Sequence, residues 1–133
     1  MLLHDIKALI VDDDPFVSEM LAEILRSEGC TVETAGDGSE AYSKFLADPN
    51  IHIVISDMHM PVMNGLQLIK KLREASTDVP VVILTGMAAA PEAVNKGASD
   101  YLLKDEHLQD TVVLMVRKVL EKHQLKRNKT KDA

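Results

Sequence analysis

The fold of this 133-residue chain is indicated most clearly by one stretch near its amino end, Ile6-Lys7-Ala8-Leu9-Ile10-Val11-Asp12-Asp13-Asp14-Pro15. Its first six residues are almost continuously apolar, and three consecutive aspartates end the run. A short apolar run of this kind is typical of a strand buried on both faces of a parallel sheet. Asp followed by Pro is a helix-start signal, because Asp accepts from free amide groups and Pro fits the first helical position. We therefore predict a strand over Ile6–Val11 and a helix that begins at Pro15.

The same alternation of strand and helix continues along the chain. Gly29 is expected to end the first helix, because glycine readily adopts the left-handed conformation that follows many helices. Further strands are predicted at Thr31–Ala35, Ile51–Ser56, Val79–Leu84 and Asp100–Leu103. Further helices are predicted at Ser39–Ala47, Leu66–Ala75 and Pro91–Lys96, with a last one from Asp105–His107 to beyond Leu120.

Apolar residues at helical spacing predict which helix faces enter the core. The first helix is expected to bury Phe16, Val17, Met20, Leu21, Ile24 and Leu25. The second is expected to bury Ala41, Phe45 and Leu46, and the last helix Leu108, Val112, Met115, Val116, Val119 and Leu120. Five strands that alternate with such helices indicate an α/β fold with a parallel sheet covered on both faces. We predict the doubly wound strand order 2-1-3-4-5, a flavodoxin-like (βα)5 arrangement.

Composition excludes several classes of protein. Hydrophobic residues make up 46% and charged residues 27%, which is ordinary for a folded domain and unlike a disordered chain. No apolar run approaches the ~20 residues that span a bilayer, and the amino terminus lacks a signal-peptide pattern, so we expect no membrane insertion. The single cysteine, Cys30, excludes an internal disulfide and a cysteine metal cluster, and it fits the reducing cytoplasm.

Charge is distributed unevenly. Residues 1–116 hold 8 basic and 19 acidic side chains, net −11, whereas residues 117–133 hold 7 and 2, net +5. The acidic body would repel nucleic acid, and aromatic residues are only 3%, so we expect no direct nucleic-acid binding. The basic end has two interpretations, a solvated terminus or a weak contact for anions.

Polar side chains stand at the carboxyl ends of four predicted strands. The first strand ends in Asp12–Asp14, the third in Asp57, the fourth in Thr85 and the fifth in Lys104. In a doubly wound sheet these ends share one edge, where ligands bind. Crowded carboxylates repel one another, and a few oxygen ligands that leave room for water suit Mg²⁺.

Each of these residues alone has an ordinary structural explanation, as a turn residue, a helix cap or a surface lysine. Their joint placement favours a functional site. A cation, an ammonium and a hydroxyl around one carboxylate are what phosphoryl transfer needs, because that chemistry depends on positioning and charge neutralisation. The pattern therefore predicts a carboxylate that accepts phosphate.

Four segments, in this order, resemble the receiver domain of two-component response regulators. They are Ile10-Val11-Asp12-Asp13-Asp14-Pro15, Ile55-Ser56-Asp57-Met58-His59-Met60-Pro61-Val62-Met63-Asn64-Gly65, Leu84-Thr85-Gly86 and Gly97-Ala98-Ser99-Asp100-Tyr101-Leu102-Leu103-Lys104. The resemblance covers roughly residues 5–122. It implies a phosphoacceptor of a two-component phosphorelay that takes its phosphoryl group from a histidine kinase or phosphotransfer protein. Enzymatic activity beyond its own phosphorylation and dephosphorylation is not expected.

The resemblance also implies a role for each matching residue at the metal. Asp57 would be the phosphoacceptor, and Asp13 and Asp57 would bind Mg²⁺ directly. Asp12 would act through a water molecule held by the metal, and the backbone carbonyl of His59 would complete the protein ligands. We expect the His59 side chain to gate water rather than to act as a base, and the other histidines to be structural.

A second set of implied roles concerns the phosphoryl group and the switch. Thr85 and Lys104 would each contact a phosphoryl oxygen, and Tyr101 would rotate inward when Thr85 moves. Gly65 would permit the turn after the third strand, and Pro61 would shape that loop.

The sequence departs from the receiver pattern after Lys104, where Asp105 replaces the usual proline. We expect a trans bond there, since a cis bond before a non-proline residue costs ~2.5–4 kcal/mol. Asp105 would either cap the last helix or compete for Lys104. The segment between Thr85 and Lys104 is also shorter than usual. The sequence therefore does not decide which surface transmits the signal.

Two alternative functions remain. These departures support a receiver-like adaptor for protein–protein interaction whose site is not regulated by phosphorylation. The other alternative is a Mg²⁺-dependent phosphohydrolase with an aspartate nucleophile on a similar sheet, which would want an acid two residues beyond the nucleophile, where this chain has His59.

The domain is predicted to span residues 1–122, with a basic helical extension over 123–133. Leu125 lies past the expected edge of the domain, and a projecting apolar stripe tends to pair with another helix. We therefore expect output along the last helix, through a homodimer or a downstream domain.

Overall fold

The computed structural model describes residues 3–75, 77–86 and 97–132, with side chains as far as Gln124. The strands are β1 (Lys7–Val11), β2 (Thr31–Ala35), β3 (Ile53–Asp57), β4 (Val81–Thr85) and β5 (Asp100–Leu103). The helices are α1 (Pro15–Ser27), α2 (Gly38–Ala47), α3 (Gly65–Glu74) and α4 (Leu108–Asp132). The helix predicted at 91–96 lies outside the described residues.

The five strands form one parallel sheet in the order β2-β1-β3-β4-β5, which confirms the predicted topology. The chain leaves β1 toward β2 on one side and reaches β3 on the other, so the connections diverge beyond the carboxyl ends of β1 and β3. The register pairs Val11 with Ser56, Asp57 with Leu84, and Thr85 with Leu103. The ends of four neighbouring strands are therefore level along this edge.

Side chains that alternate along each strand feed two separate cores. The first core lies between the sheet and the pair α1 and α4, and the second lies between the sheet and the pair α2 and α3. Along β1, for example, Ala8 and Ile10 enter the first core, whereas Leu9 and Val11 enter the second. All four are fully buried, which is why β1 reads as a continuous apolar run.

Two predictions about the helix faces are wrong. Phe16 is 80% exposed and Leu46 is 55% exposed. The buried stripe of α1 begins at Ser18, and Phe16 lies two residues earlier, about 200° around the helix. Leu46 is rotated about 100° from its buried neighbour Phe45 for the same geometric reason.

The helix boundaries follow from local hydrogen bonds. Asp14 Oδ1 accepts from the Phe16 amide at 2.9 Å and caps α1 as predicted. Gly29 (φ 98°) ends the helix: its amide donates to Arg26 O at 3.0 Å, and the next amide, of Cys30, donates to Leu25 O at 3.1 Å. These two hydrogen bonds together form the Schellman motif, which requires a residue in the left-handed conformation.

The last helix is preceded by a turn that Asp105 organises. Asp105 Oδ1 accepts from the His107 amide at 2.9 Å, which agrees with the helix-cap interpretation of this residue. Within the described chain no peptide bond is cis, so Lys104–Asp105 is trans as expected.

Helix α4 packs on the sheet through Leu108, Val112, Val116, Val119 and Leu120, all buried as predicted, with Met115 partly buried. The helix then continues without a break to Asp132. Among the helices of the described ranges, none combines the length and the apolar character needed to cross a bilayer.

Candidate functional site

The carboxyl edge of the sheet brings the predicted acidic residues together. Suitable oxygen atoms of Asp12, Asp13 and Asp57 all lie within 4.8 Å of one another. Asp57 is the last residue of β3 rather than the residue after it, and the Asp57 side chain is 11% exposed. The Asp12 side chain is fully buried, whereas Asp13 is exposed. The Asp12 carboxylate is thus fully buried, that of Asp57 is nearly so, and that of Asp13 reaches solvent.

Lys104 lies among these carboxylates. Its Nζ atom is 2.8 Å from Asp12 Oδ2 and 3.1 Å from Asp57 Oδ2, and its side chain is 26% exposed. Its ammonium thus forms ion pairs with both carboxylates. Asp12 Oδ1 in turn accepts from the Asp14 amide at 2.9 Å, which fixes the orientation of the buried carboxylate.

The pKa values of this pair show the cost of the arrangement. Burial raises the pKa of Asp12, and the neighbouring Asp57 carboxylate adds to that rise, while the Lys104 ammonium and the Asp14 amide oppose it. Burial by itself would lower the pKa of Lys104, but Asp12 and Asp57 outweigh it and the net shift is upward. Three carboxylates thus face one ammonium, and the buried one is short of positive charge.

Thr85 and Tyr101 occupy the neighbouring strands. Thr85 is the last residue of β4 and is buried, and its carbonyl accepts from the Lys104 amide at 2.9 Å. This backbone bond ties the end of β4 to the residue that carries the ammonium. Tyr101 is half-buried and packs against the second core. The structure therefore places both predicted switch residues beside the acidic edge on adjacent strands.

The loop after β3 is held by a close backbone approach. Gly65 lies outside the left-handed region, and a Cβ there would be 2.6 Å from the Asp57 carbonyl oxygen. The Gly65 amide donates to Met58 O at 3.0 Å. The need for glycine thus comes from proximity to the main chain of Asp57, whereas the expectation invoked a turn.

The left-handed residue of this loop is Val62 instead (φ 69°). The Met63 amide donates to Pro61 O at 2.7 Å across it, as in a γ-turn. A β-branched residue is strained in this region. Val62 is also exposed, and Met63 packs on Gly38, where a Cβ would meet Met63 O at 2.7 Å.

Two further residues bear on the site. His59 is exposed in the same loop, and its role as a metal ligand through the carbonyl stays a prediction. Ser56, to which the sequence reasoning assigned no role, is fully buried and donates its hydroxyl to Asp57 O at 3.0 Å. The sequence did hold a signal for this hydrogen bond, namely a serine at the end of an otherwise apolar strand. A hydroxyl that is buried there needs a hydrogen-bond partner.

The donor set fits a hard divalent cation. It consists of carboxylate oxygens only, and Mg²⁺ prefers oxygen ligands and retains several waters. The raised pKa of the buried Asp12 carboxyl marks a site where added positive charge would be favourable. The exposed Asp13 carboxylate provides access from solvent.

Comparison with known proteins identifies the family. The response regulator receiver domain family matches residues 8–123. The transcriptional regulatory protein TcrX of Mycobacterium tuberculosis, described as probable, is 34% identical over 120 residues, which cover 88% of this chain and 50% of TcrX. The DNA-binding response regulator MtrA of Mycolicibacterium smegmatis is 38% identical over 101 residues, covering 74% of this chain and 43% of MtrA. The chain spans about half the length of these curated relatives.

Solved structures agree in fold. The chemotaxis protein CheY4 of Vibrio cholerae is 31% identical with a TM-score of 0.79, covering 86% of this chain and 98% of that one. CheY in a complex with CheX, BeF₃⁻ and Mg²⁺ from Borrelia burgdorferi is 31% identical with a TM-score of 0.80, covering 86% and 88%. The parallel order of the strands, the acidic edge with its lysine, and a match over nearly all of its length make this chain a member of the response regulator receiver domain family.

Proposed function

We propose that Asp57 accepts the phosphoryl group through which this receiver domain signals. The observation that supports this most directly is the position of the Asp57 carboxylate, 3.1 Å from the Lys104 ammonium and grouped with Asp12 and Asp13. Asp57 is also the member of the group that stands at the end of the central strand β3. Its side chain keeps 11% exposure, through which a partner imidazole could approach.

The proposed reaction transfers a phosphoryl group from a phosphohistidine to Asp57. An Asp57 oxygen attacks phosphorus, the P–N bond breaks as the O–P bond forms, and the departing imidazole takes up a proton. Lys104 offsets charge on the phosphoryl oxygens, because its ammonium already lies among the acceptor carboxylates. Mg²⁺, when bound, would neutralise further charge, and Asp12, Asp13, Asp57 and the His59 carbonyl would hold it.

The switch would begin at Thr85. A phosphoryl group on Asp57 adds acceptor oxygens next to the end of β4, where the Thr85 hydroxyl could donate to one of them. Tyr101 lies on the adjacent strand and is paired in register with Ile83, two residues before Thr85. A movement of Thr85 would therefore change the space open to the Tyr101 ring, which is half-buried.

A labelling experiment tests the acceptor. Acetyl phosphate with Mg²⁺ should add one phosphoryl group to the protein by intact mass, and peptide mapping should place it on Asp57. Asp57→Asn should abolish labelling, as should chelation of the metal. Asp78→Asn is the matched control, because Asp78 is 82% exposed and belongs to the α3–β4 connection. Equal labelling of Asp57→Asn would refute the assignment, and no labelling of any form would favour the adaptor alternative.

The partner is proposed to be a histidine kinase or a phosphotransfer protein, as membership of the family suggests. Its location would then be the cytoplasm, where the thiol of Cys30, buried and unpaired in the fold, stays reduced. The matched part of this chain covers only about half of TcrX and less than half of MtrA, so a further output domain is part of the proposal.

Output is proposed to pass along α4. This helix has 25 residues, about 37 Å, and among its side chains described as far as Gln124 the last buried one is that of Leu120. Residues 121–132 continue the helix past that point, across the proposed domain boundary at 122. Such an extension suits a homodimer or a connection to a downstream domain.

Sedimentation with and without BeF₃⁻ tests the α4 route. The intact chain should self-associate more strongly with BeF₃⁻, whereas a version ending at Glu121 should not respond. If both forms stay monomeric in both states at high concentration, the route along α4 is wrong for this chain.

A further inference from the structure

Strand β2 forms one edge of the sheet, and its outward side follows from the register. The Thr31 amide donates to Ile6 O at 2.9 Å, and Ala35 O accepts from the Asp12 amide at 3.0 Å. Because alternate residues of a parallel strand bond to the same neighbour, Thr31, Glu33 and Ala35 face β1. The main-chain groups of Val32 and Thr34 therefore point away from the sheet.

Both outward carbonyls of β2 are occupied by cationic side chains. Arg26 of α1 donates through Nη2 to Val32 O at 3.3 Å. Lys44 of α2 donates through Nζ to Thr34 O at 2.5 Å. The two helices lie on opposite faces of the sheet, so one cation reaches over the edge from each side.

Acidic neighbours hold these two cations in position. Glu19 lies 3.7 Å from Arg26, and Glu40 lies 3.4 Å from Lys44. Glu40 also accepts from the Gly36 amide at 3.0 Å, just beyond the end of β2. Arg26 and Lys44 remain partly exposed, with 45% and 37% of their side chains accessible.

We propose that Arg26 and Lys44 close the β2 edge and prevent a second copy of this chain from extending the sheet there. An added strand needs the outward carbonyls of β2 as acceptors, so it would have to displace the Arg26 and Lys44 donors or share these oxygens with them. Two copies that met edge to edge would also bring the long Arg26 and Lys44 side chains of each copy into the same narrow space, because both side chains lie across the edge. The sequence of β2 makes closure useful, because Thr31, Val32 and Thr34 are β-branched and favour strand pairing.

The test is a double substitution that opens the edge. Arg26→Ala/Lys44→Ala frees both carbonyls, and we expect it to associate through β2 as concentration rises. The site-specific readout is hydrogen exchange of the Val32 and Thr34 amides, which point outward and should exchange freely in the wild type. In the double variant their protection should increase about tenfold or more with protein concentration.

Matched controls separate edge closure from a simple change of charge. Lys70→Ala/Lys71→Ala removes two positive charges from exposed positions of α3 and should leave exchange at residues 32 and 34 unchanged. Lys44→Met keeps most of the aliphatic stem and frees Thr34 O alone, so it should protect the Thr34 amide to a smaller extent. This single variant decides the matter if the double variant does not fold.

Two results would overturn the proposal. One is a folded edge variant whose Val32 and Thr34 amides exchange as in the wild type at every concentration. The other is equal protection in Lys70→Ala/Lys71→Ala, since that would show a general effect of charge. Association through α4 would leave both amides unprotected and is therefore distinguishable.

Discussion

The two ends of the parallel sheet differ in how their charged side chains are paired. At the carboxyl edge, the carboxylates of Asp12, Asp13 and Asp57 lie together, and the Lys104 ammonium contacts those of Asp12 and Asp57. Burial raises the pKa of Asp12 there. At the amino edge, Lys7 contacts the Asp48 carboxylate in a hydrogen-bonded ion pair. Like charges are thus clustered at the carboxyl edge, whereas opposite charges are paired at the amino edge.

Arg73 is the clearest example at the amino edge of a charged group whose hydrogen-bond donors have partners. Its guanidinium donates to Val79 O at 2.9 Å, Gly97 O at 3.0 Å and Thr77 O at 3.2 Å. These bonds join the end of α3 to the starts of β4 and β5, and burial lowers the pKa of Arg73 although Asp78 opposes that shift. The amino edge is thus held by paired charges and hydrogen bonds, whereas the carboxyl edge keeps an excess of carboxylates beside one ammonium.

Removing Arg73 should have the largest effect on stability. Arg73→Ala leaves three carbonyls without their donor, and the free energy of unfolding should fall by roughly 2–3 kcal/mol. Urea denaturation measures this, with Lys70→Ala as an exposed control on the same helix that should stay within about 0.5 kcal/mol. A loss for Arg73→Ala no larger than that of the control would remove the contrast between the two edges.

Mg²⁺ should relieve the repulsion at the carboxyl edge. At ten times its Kd, Mg²⁺ should add about 1.4 kcal/mol to the free energy of unfolding of the wild type. Asp13→Asn should abolish this gain, yet without metal it should be more stable than the wild type by about 0.5 kcal/mol, because one repelling charge is gone. Thermal melts with and without Mg²⁺ measure both effects.

Asp78→Asn serves as the control for this experiment and should respond to Mg²⁺ as the wild type does. A loss of stability in metal-free Asp13→Asn would mean that the exposed carboxylate has a structural partner, and the repulsion argument would not hold.

Backbone strain adds a smaller term at the same edge. Val62 has φ 69°, where strain costs of the order of 1 kcal/mol, and glycine would relieve it at an entropic cost of about 0.5 kcal/mol. Val62→Gly should therefore raise the free energy of unfolding by about 0.5 kcal/mol. Val62→Ala keeps the Cβ and the strain, so it should bring no gain; equal gains in both variants would point to the exposed side chain instead.

The two edges should also respond oppositely to acid. The ion pair with Lys7 lowers the pKa of Asp48, so its contribution is present above the ordinary Asp pKa and is lost as pH falls through the lower folded value. The pKa of Asp12 is raised by burial, so Asp12 favours folding most at low pH and less as pH rises through its folded pKa.

Unfolding curves of the wild type and Asp48→Asn between pH 7 and pH 2 test the first half. The difference in stability should shrink toward acid pH. Carbon-13 titration of the carboxyl groups tests the second half, with a midpoint for Asp12 above 3.8. A midpoint for Asp12 below that of Asp48 would reverse the comparison.

Much of this architecture was predictable because the strands are buried on both faces. The runs over residues 8–11 and 53–55 are apolar, and the polar groups of the site follow them, so topology alone places those groups together. The helix faces were harder to predict. Phe16 and Leu46 are apolar at near-helical spacing, but a rotation of 100° or 200° exposes them, and only packing on the sheet sets that rotation.

Contacts between residues far apart along the chain could not be predicted from the sequence pattern. Arg73 and Gly97 are 24 residues apart, and nothing in either local sequence marks their hydrogen bond. The same holds for Gly65, whose requirement arises from the approach of the Asp57 carbonyl rather than from its own φ.

The pattern of residues was enough to predict the alternation of strands and helices, the strand order and the identity of the acidic edge, because these depend on hydrophobic periodicity and on the rules of parallel sheets. The tertiary structure decided which carboxylate is buried, how Lys104 divides its contacts between Asp12 and Asp57, and which cations cover the β2 edge. Those features depend on distances of a few ångströms between segments far apart in the chain, and such distances are set only when the helices pack on the sheet.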